Sequence, residues 1–324
     1  MEQKTYKAKL RELNQILHKE TSFFLTAHKR PDGDALAAAL ALKIYLESLG
    51  KKVTVSFCGE VETMYNFMPG YGPALFEQEV RDKFDAYIVC DACELRRTNV
   101  NKDKISCDRL IYIDHHTDHV QEKCFMEIAR ADKAATSEII YDFFIANDIR
   151  IGKDVATCLL TGLFTDTGGF MHANTTSNIM QIASSLMRSG ASLSLIAKKT
   201  YSNKTVNILN VWGRALARSR LNNKNKMAFS YITQRDLEEC RAKVEDLSGV
   251  TNILGSAEES VYSLLLTEAE GNTLKGSLRS EEYKNCDVSQ IAKLFGGGGH
   301  KLASGFELKG KIDEISNLKF QISN

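Results

Sequence analysis

The chain has 324 residues, 43% of them hydrophobic, and its 42 Lys and Arg against 41 Asp and Glu leave a formal charge of +1. That length accommodates two domains with sizeable cores. The balanced charge excludes the broad basic field that grips long duplex DNA through counterion release, so any nucleic-acid substrate is expected to be short and held locally.

The opening MEQKTYKAKLRELNQILHKE is charged and lacks the apolar core of a signal peptide, and no stretch approaches the roughly 20 apolar residues of a membrane span. The eight cysteines are scattered and read as reduced core residues, Cys90 and Cys93 of CDAC included. A cytoplasmic protein without a membrane partner is the expectation.

In chain order, residues 3–19 predict an amphipathic helix with Leu10, Leu13, Ile16 and Leu17 at helical spacing. SFFLTA (22–27) is a short apolar run, and the Ala- and Leu-rich stretch 34–50 predicts a helix closed by Gly50. KVTVSF (52–57), DAYIVC (85–90) and RLIYI (109–113) read as strands. Helical patterns follow at about 136–147, 154–165 and 176–188. Strands alternating with helices predict an α/β domain, residues 1–191, built on a mostly parallel sheet flanked by helices.

Residues 192–221 read as a helical linker. Beyond it, 222–324 predict a smaller α+β domain, with strands at 226–233, 260–268, 272–280 and 304–308 and helices at 234–243 and 287–295.

Three of the N-terminal runs end in polar residues: His28 through Asp32 and Asp34, then Asp91, then Asp114, His115 and His116. In an open parallel sheet ligands bind beyond the carboxyl ends of the strands, so parallel pairing would bring all three groups to one rim. Asp after a strand is often only a helix cap or turn former, but caps do not call for histidine. Asp166 ends a long apolar helical pattern, where a carboxylate meets the negative end of the helix dipole and calls for a cation.

His28, Asp32, Asp34, Asp91, His115 and Asp166 are more groups than one ion with an open position needs. Two ions sharing a carboxylate would use them all, about 3.5–4 Å apart, an arrangement suited to in-line attack on phosphorus. The oxygen-rich set favours Mn²⁺, with Mg²⁺ or Co²⁺ as alternatives.

In the second domain GGGGH (296–300) offers no glycine side chains for packing and would present backbone N–H groups to an anion. Gly297, Gly298 and Gly299 would form that cradle, with His300 and Arg279 clamping a phosphate or stacking on a base and Ser304 as a weaker contact.

HKRPDGDAL, the strand end at Asp91, IDHH and FTDTGGF resemble, in that order, the motifs of the DHH phosphoesterase superfamily. SLRS with GGGGHKLASGF resembles its type 1 associated domain. The combination is similar to the NrnA-type branch, nanoRNases that are also phosphatases of 3′-phosphoadenosine 5′-phosphate (pAp). The family's usual Gly-Ser pair after PDGDAL is Ala37-Ala38 here.

The resemblance implies one metal at His28, Asp32 and Asp91, and a second at Asp34, Asp91, His115 and Asp166. His116 would then reach the scissile phosphate as donor or general acid, with Asp114 orienting an imidazole. It also implies a substrate-binding role for the glycine-rich element. The expected activity is hydrolysis of short oligoribonucleotides and pAp by a two-metal-activated hydroxide, with homodimerisation left open.

Cyclic dinucleotides, or their linear product pApA, are the alternative substrates. A phosphoanhydride hydrolase is disfavoured by GGGGH, and a vestigial binding protein by the intact set of six ligand positions. Asp118, His119, His18, Trp212 and Tyr201 are expected to take no part in catalysis, and His172 is given no role.

Overall fold

The computed structural model describes residues 3–59, 61–72, 83–98, 100–101, 105–116, 123–201 and 204–312. Asp118 and His119 lie outside the described residues, as does the side chain of His300. The chain divides into two compact units, Met1–Asn203 and Lys204–Asn324.

The first unit is built on five parallel strands, β1 (Ser22–Ala27), β2 (Lys52–Val55), β3 (Ala86–Cys90), β4 (Leu110–Asp114) and β5 (Met126–Ala129), in the order β2-β1-β3-β4-β5. The central strands are continuous apolar runs because both faces are covered. Phe23, Leu25, Ile88, Cys90, Ile111 and Ile113 join the larger core. Phe24, Tyr87, Val89, Leu110 and Tyr112 alternate with them and join a second, smaller cluster with Phe84, Leu95 and Ile105. β5 went unread because MEIA is only four residues long and half-buried, too little for a clear alternation.

The larger core is closed by helices α1 (Gln3–Lys19), α2 (Gly33–Ser48), α3 (Thr136–Ala146), α4 (Lys153–Asp166), α5 (Ser177–Arg188) and α6 (Leu193–Thr200). α2 is buried along most of its length, which explains why it is apolar all round rather than striped. α2 and α4 cross very closely at the ends that carry Asp34 and Asp166. A Cβ on Gly33 would lie 2.5 Å from the Thr165 side chain, and one on Gly162 would lie 2.5 Å from Asp34 Oδ1.

The stretch 192–221, expected as one helical linker, is two helices and a strand. α6 buries Ile196 in the first core, whereas α7 (Val206–Ala217) buries Val211 and Ala215 in the second unit. β6 (Arg220–Asn222) then pairs with β7 (Met227–Ile232). Each helix packs its own apolar face on a different core, a property that helical spacing alone does not reveal.

The second unit continues with α8 (Gln234–Cys240), α9 (Val250–Gly255), β8 (Tyr262–Ala269), β9 (Thr273–Ser280), α10 (Val288–Leu294), β10 (Gly298–His300) and β11 (Ala303–Lys309). Its sheet order is β10-β11-β9-β8-β7-β6, with β7 and β8 parallel and the other pairs antiparallel. Buried Asp236 ties α7 to α8: it accepts from Arg214 and Arg218 and closes a capping box with Thr233.

Candidate metal centre

β1, β3 and β4 are adjacent and parallel, so their carboxyl ends meet on one rim. His28 follows β1, Asp91 follows β3, and Asp114 ends β4 ahead of His115 and His116. Asp91 is 2% exposed and has φ +58°, a left-handed conformation that Asp tolerates better than most residues. Its N–H donates to Ile113 O at 2.9 Å, fixing the turn against β4.

The two oxygens of Asp91 face different histidines. Oδ2 lies 3.5 Å from His28 Nε2, while Oδ1 lies 3.5 Å from His115 Nε2. Asp32 Oδ1 completes the first side, 3.9 Å from His28 Nε2. Asp166 Oδ2 completes the second, 3.2 Å from His115 Nε2. Donor atoms of His28, Asp32 and Asp91 fall within 4.8 Å of one another, and so do those of Asp34, His115 and Asp166.

Local structure explains the placements. Asp32 is the N-cap of α2, its Oδ1 accepting from Asp34 N and Ala35 N, both at 3.0 Å. Capping and site membership therefore coincide in one residue. Asp34 is fully buried, and its two oxygens accept from Thr136 N at 2.6 Å and Ser137 N at 2.9 Å. Asp166 is the last residue of α4.

The electrostatics are those of crowded acids. Burial, reinforced by the charge of Asp91, pushes Asp34 up to about 7. Burial and then the charges of Asp34 and Asp32 push Asp166 well above the ordinary carboxylate range. Burial also works to raise Asp91, but its contact with His28 and the charges of His115 and His116 outweigh it and hold this carboxyl far below that range. Burial pulls His28 down, yet Asp91 and Asp32 lift it to about 9. Two imidazoles and four carboxylates, several of them driven from their ordinary ionisation by one another, match the donor chemistry of divalent cations such as Mn²⁺.

A third grouping, Asp91, His115 and His116, is equally compact. The His116 atom facing Asp91 is Nδ1, 3.6 Å away, and Asp114 Oδ1 already holds that atom at 2.7 Å. Burial lowers His116 and the Asp114 bond more than compensates, so the imidazole is more basic than usual. His116 and Asp114 thus form an Asp-His pair joined through Nδ1.

The sequence reading predicted the helix that begins at Thr136 but gave its first turn no part in the site. Thr136 Oγ1 donates to Asp91 Oδ1 at 3.0 Å. The only sequence signal there is Thr-Ser-Glu opening a helix, which usually marks a cap and not a site.

In the second unit Gly297 and Gly299 do pack, contrary to expectation, whereas a Cβ on Gly296 or Gly298 would meet nothing within 4 Å. A Cβ on Gly297 would lie 2.2 Å from Gly305 O, and one on Gly299 would lie 2.6 Å from Ala303 O. Side chains at these two positions would push the segment away from β11. Arg279 of β9 pairs in register with Ala303 of β11, which pairs with His300 of β10, so the three occupy one row. Burial pulls the Arg279 guanidinium below its ordinary value. Ser304 is buried in the next row, between Gly299 and Leu278.

All eight cysteines are free thiols. Trp212 Nε1 donates to Asp246 O at 2.7 Å, and Tyr201 makes an edge contact with Phe164. His18 is exposed, 3.4 Å from Tyr45 Oη. Among the described residues no helix is long and apolar enough to cross a membrane.

The family model for the DHH family, N-terminal domain, matches residues 22–163, and that for the DHHA1 domain matches 224–321. The bifunctional oligoribonuclease and PAP phosphatase NrnA of Thermus thermophilus is 27% identical over 316 residues, covering 94% of this chain and 90% of that protein. A crystal structure of an exopolyphosphatase-related protein from Bacteroides fragilis superposes with a TM-score of 0.87 at 26% identity, over 97% of this chain and 95% of the other. Exonuclease RecJ bound to manganese shares the fold, with a TM-score of 0.51 at 13% identity over 98% and 93% of the two chains. The chain belongs to the DHH family of phosphoesterases, with a DHHA1 domain following the DHH domain.

Proposed function

We propose that this phosphoesterase hydrolyses short oligoribonucleotides and the 3′-phosphate of pAp at a centre of two divalent cations, Mn²⁺ first among them. The carrying observation is the division of Asp91, one oxygen toward His28 and the other toward His115. Similarity to the Thermus thermophilus oligoribonuclease and PAP phosphatase over most of both chains supports the substrate class.

His28, Asp32 and Asp91 would hold one ion, and Asp34, Asp91, His115 and Asp166 the other. When bound, such a pair supplies neutralisation of the phosphoryl oxygens and a water of lowered pKa. His116, held at Nδ1 by Asp114, offers Nε2 to the phosphate and supplies a proton to the leaving oxygen. Arg279 and His300, sharing a register row, take a phosphate or base of the substrate, with the backbone of Gly297, Gly298 and Gly299 beside them.

The test is a side-by-side assay of the purified protein with Mn²⁺, Mg²⁺ or Co²⁺. The substrates are pAp, RNA oligomers of graded length, pApA, cyclic di-AMP and pyrophosphate. Turnover of pAp and the shortest RNAs, abolished by EDTA, is the expected result. Turnover confined to pyrophosphate, or to cyclic di-AMP and pApA, would overturn this reading.

A further inference from the structure

Residues 133–137 touch the centre at several points without supplying any of its six proposed ligands. Lys133 O lies 3.4 Å from His115 Nδ1. Thr136 N and Ser137 N donate to the two oxygens of Asp34, and Thr136 Oγ1 donates to Asp91 Oδ1. Asn174 Nδ2 bridges Ala134 O and Asp166 O, each at 3.2 Å. Glu138, 4% exposed, anchors the segment by accepting from Lys133 Nζ at 2.9 Å, Ala134 N at 2.8 Å and Asn178 Nδ2 at 3.1 Å.

We infer that Thr136 is a positioning residue for Asp91: its hydroxyl fixes the plane of that carboxylate so that one oxygen serves each half of the centre. The inference rests on the two-cation reading above. A carboxylate turns readily about its last torsion, whose preference is broad, and bridging needs that rotation stopped. The backbone N–H groups of the α3 terminus are already committed to Asp34. The three imidazoles approach Asp91 at 3.5–3.6 Å, whereas Thr136 is at 3.0 Å, within ordinary hydrogen-bond range. Thr136 is fully buried, so no solvent competes for its hydroxyl.

The test compares wild type, Thr136→Val and Thr136→Ser by Mn²⁺ titration calorimetry and electron paramagnetic resonance on the full-length chain. Wild type should bind a pair and show the signal of spin-coupled Mn²⁺. Thr136→Val should weaken binding of the second ion about 10–100-fold and lose the coupled signal, and Thr136→Ser should recover both. A merely structural role would lower Tm and leave the coupled signal intact. If Thr136→Val lacks the wild-type circular-dichroism spectrum, Thr136→Ala, which keeps the backbone donors and adds no bulk, carries the same comparison. A coupled pair of unchanged affinity in the folded hydroxyl-free variant overturns the inference alone. Absence of a pair in wild type overturns the two-cation reading and the inference with it.

Discussion

Gly162 of α4 lies so close to Asp34 of α2 that a Cβ on the glycine would sit 2.5 Å from Asp34 Oδ1. The same added atom would overlap Ser137 Oγ. Gly162→Ala is expected to destabilise the fold by about 1–3 kcal/mol through overpacking and to weaken Mn²⁺ binding by displacing Asp34. Thermal unfolding with and without Mn²⁺ checks both: the variant should lose Tm and also lose much of the Mn²⁺-dependent increase.

Asp91 and His116 should fail in different ways. Asp91→Ala removes the carboxylate common to both halves, so bound metal and hydrolysis should fall together. His116→Ala should retain its metal and lose about 10²–10⁴-fold in kcat, the usual size of a proton-transfer contribution. Metal analysis of both dialysed proteins beside their kinetics makes the distinction. Full activity in Asp91→Ala would contradict the two-metal arrangement.

Metal-free protein should become less stable as pH rises. Asp34 is held near 7 when folded, against about 3.9 for an ordinary Asp, so the folded state binds extra protons in between. That stability is present below about pH 4 and is lost as pH rises through about 7. His28, raised to about 9 from an ordinary value of about 6.5, adds stability that is lost as pH climbs through the folded value. Bound cations replace those protons, so the Tm gain from Mn²⁺ over EDTA should be larger at pH 8 than at pH 5. An equal gain at the two values would contradict this linkage.

Arg279 lies in the second unit, and its loss should spare the metals. Arg279→Ala should leave Mn²⁺ content unchanged and raise KM for pAp at least about tenfold, the scale of one charge-assisted hydrogen bond. Steady-state kinetics on pAp and a short RNA check this. Unchanged KM and kcat on both would remove Arg279 from the proposed substrate contacts.

Much of the first unit was legible without coordinates. β1, β3 and β4 are apolar runs because both faces of the sheet are buried, and each hands on to His or Asp where the chain leaves the sheet. Parallel pairing then places those residues on one rim, so His28, Asp91 and His115 could be grouped from their positions after strands. Asp166 stood out because a carboxylate at the C-terminal end of an apolar helix is unfavourable on its own.

Other features were decided only by packing. Thr136 reads as an ordinary helix start, and only the approach of α3 to β3 gives its hydroxyl the oxygen of Asp91. The glycines of 297–299 looked exempt from packing, yet β10 fits against β11 because Gly297 and Gly299 lack side chains. The helical stretch after 192 gave no hint that Ile196 and Val211 belong to different cores. Periodicity and strand ends are local properties, and the sequence alone determined them: the alternating elements, the order of the motifs and the polar residues at each strand end. Which oxygen faces which histidine, and which backbones come within contact of one another, depends on atoms far apart in the chain, so only the tertiary structure decided them.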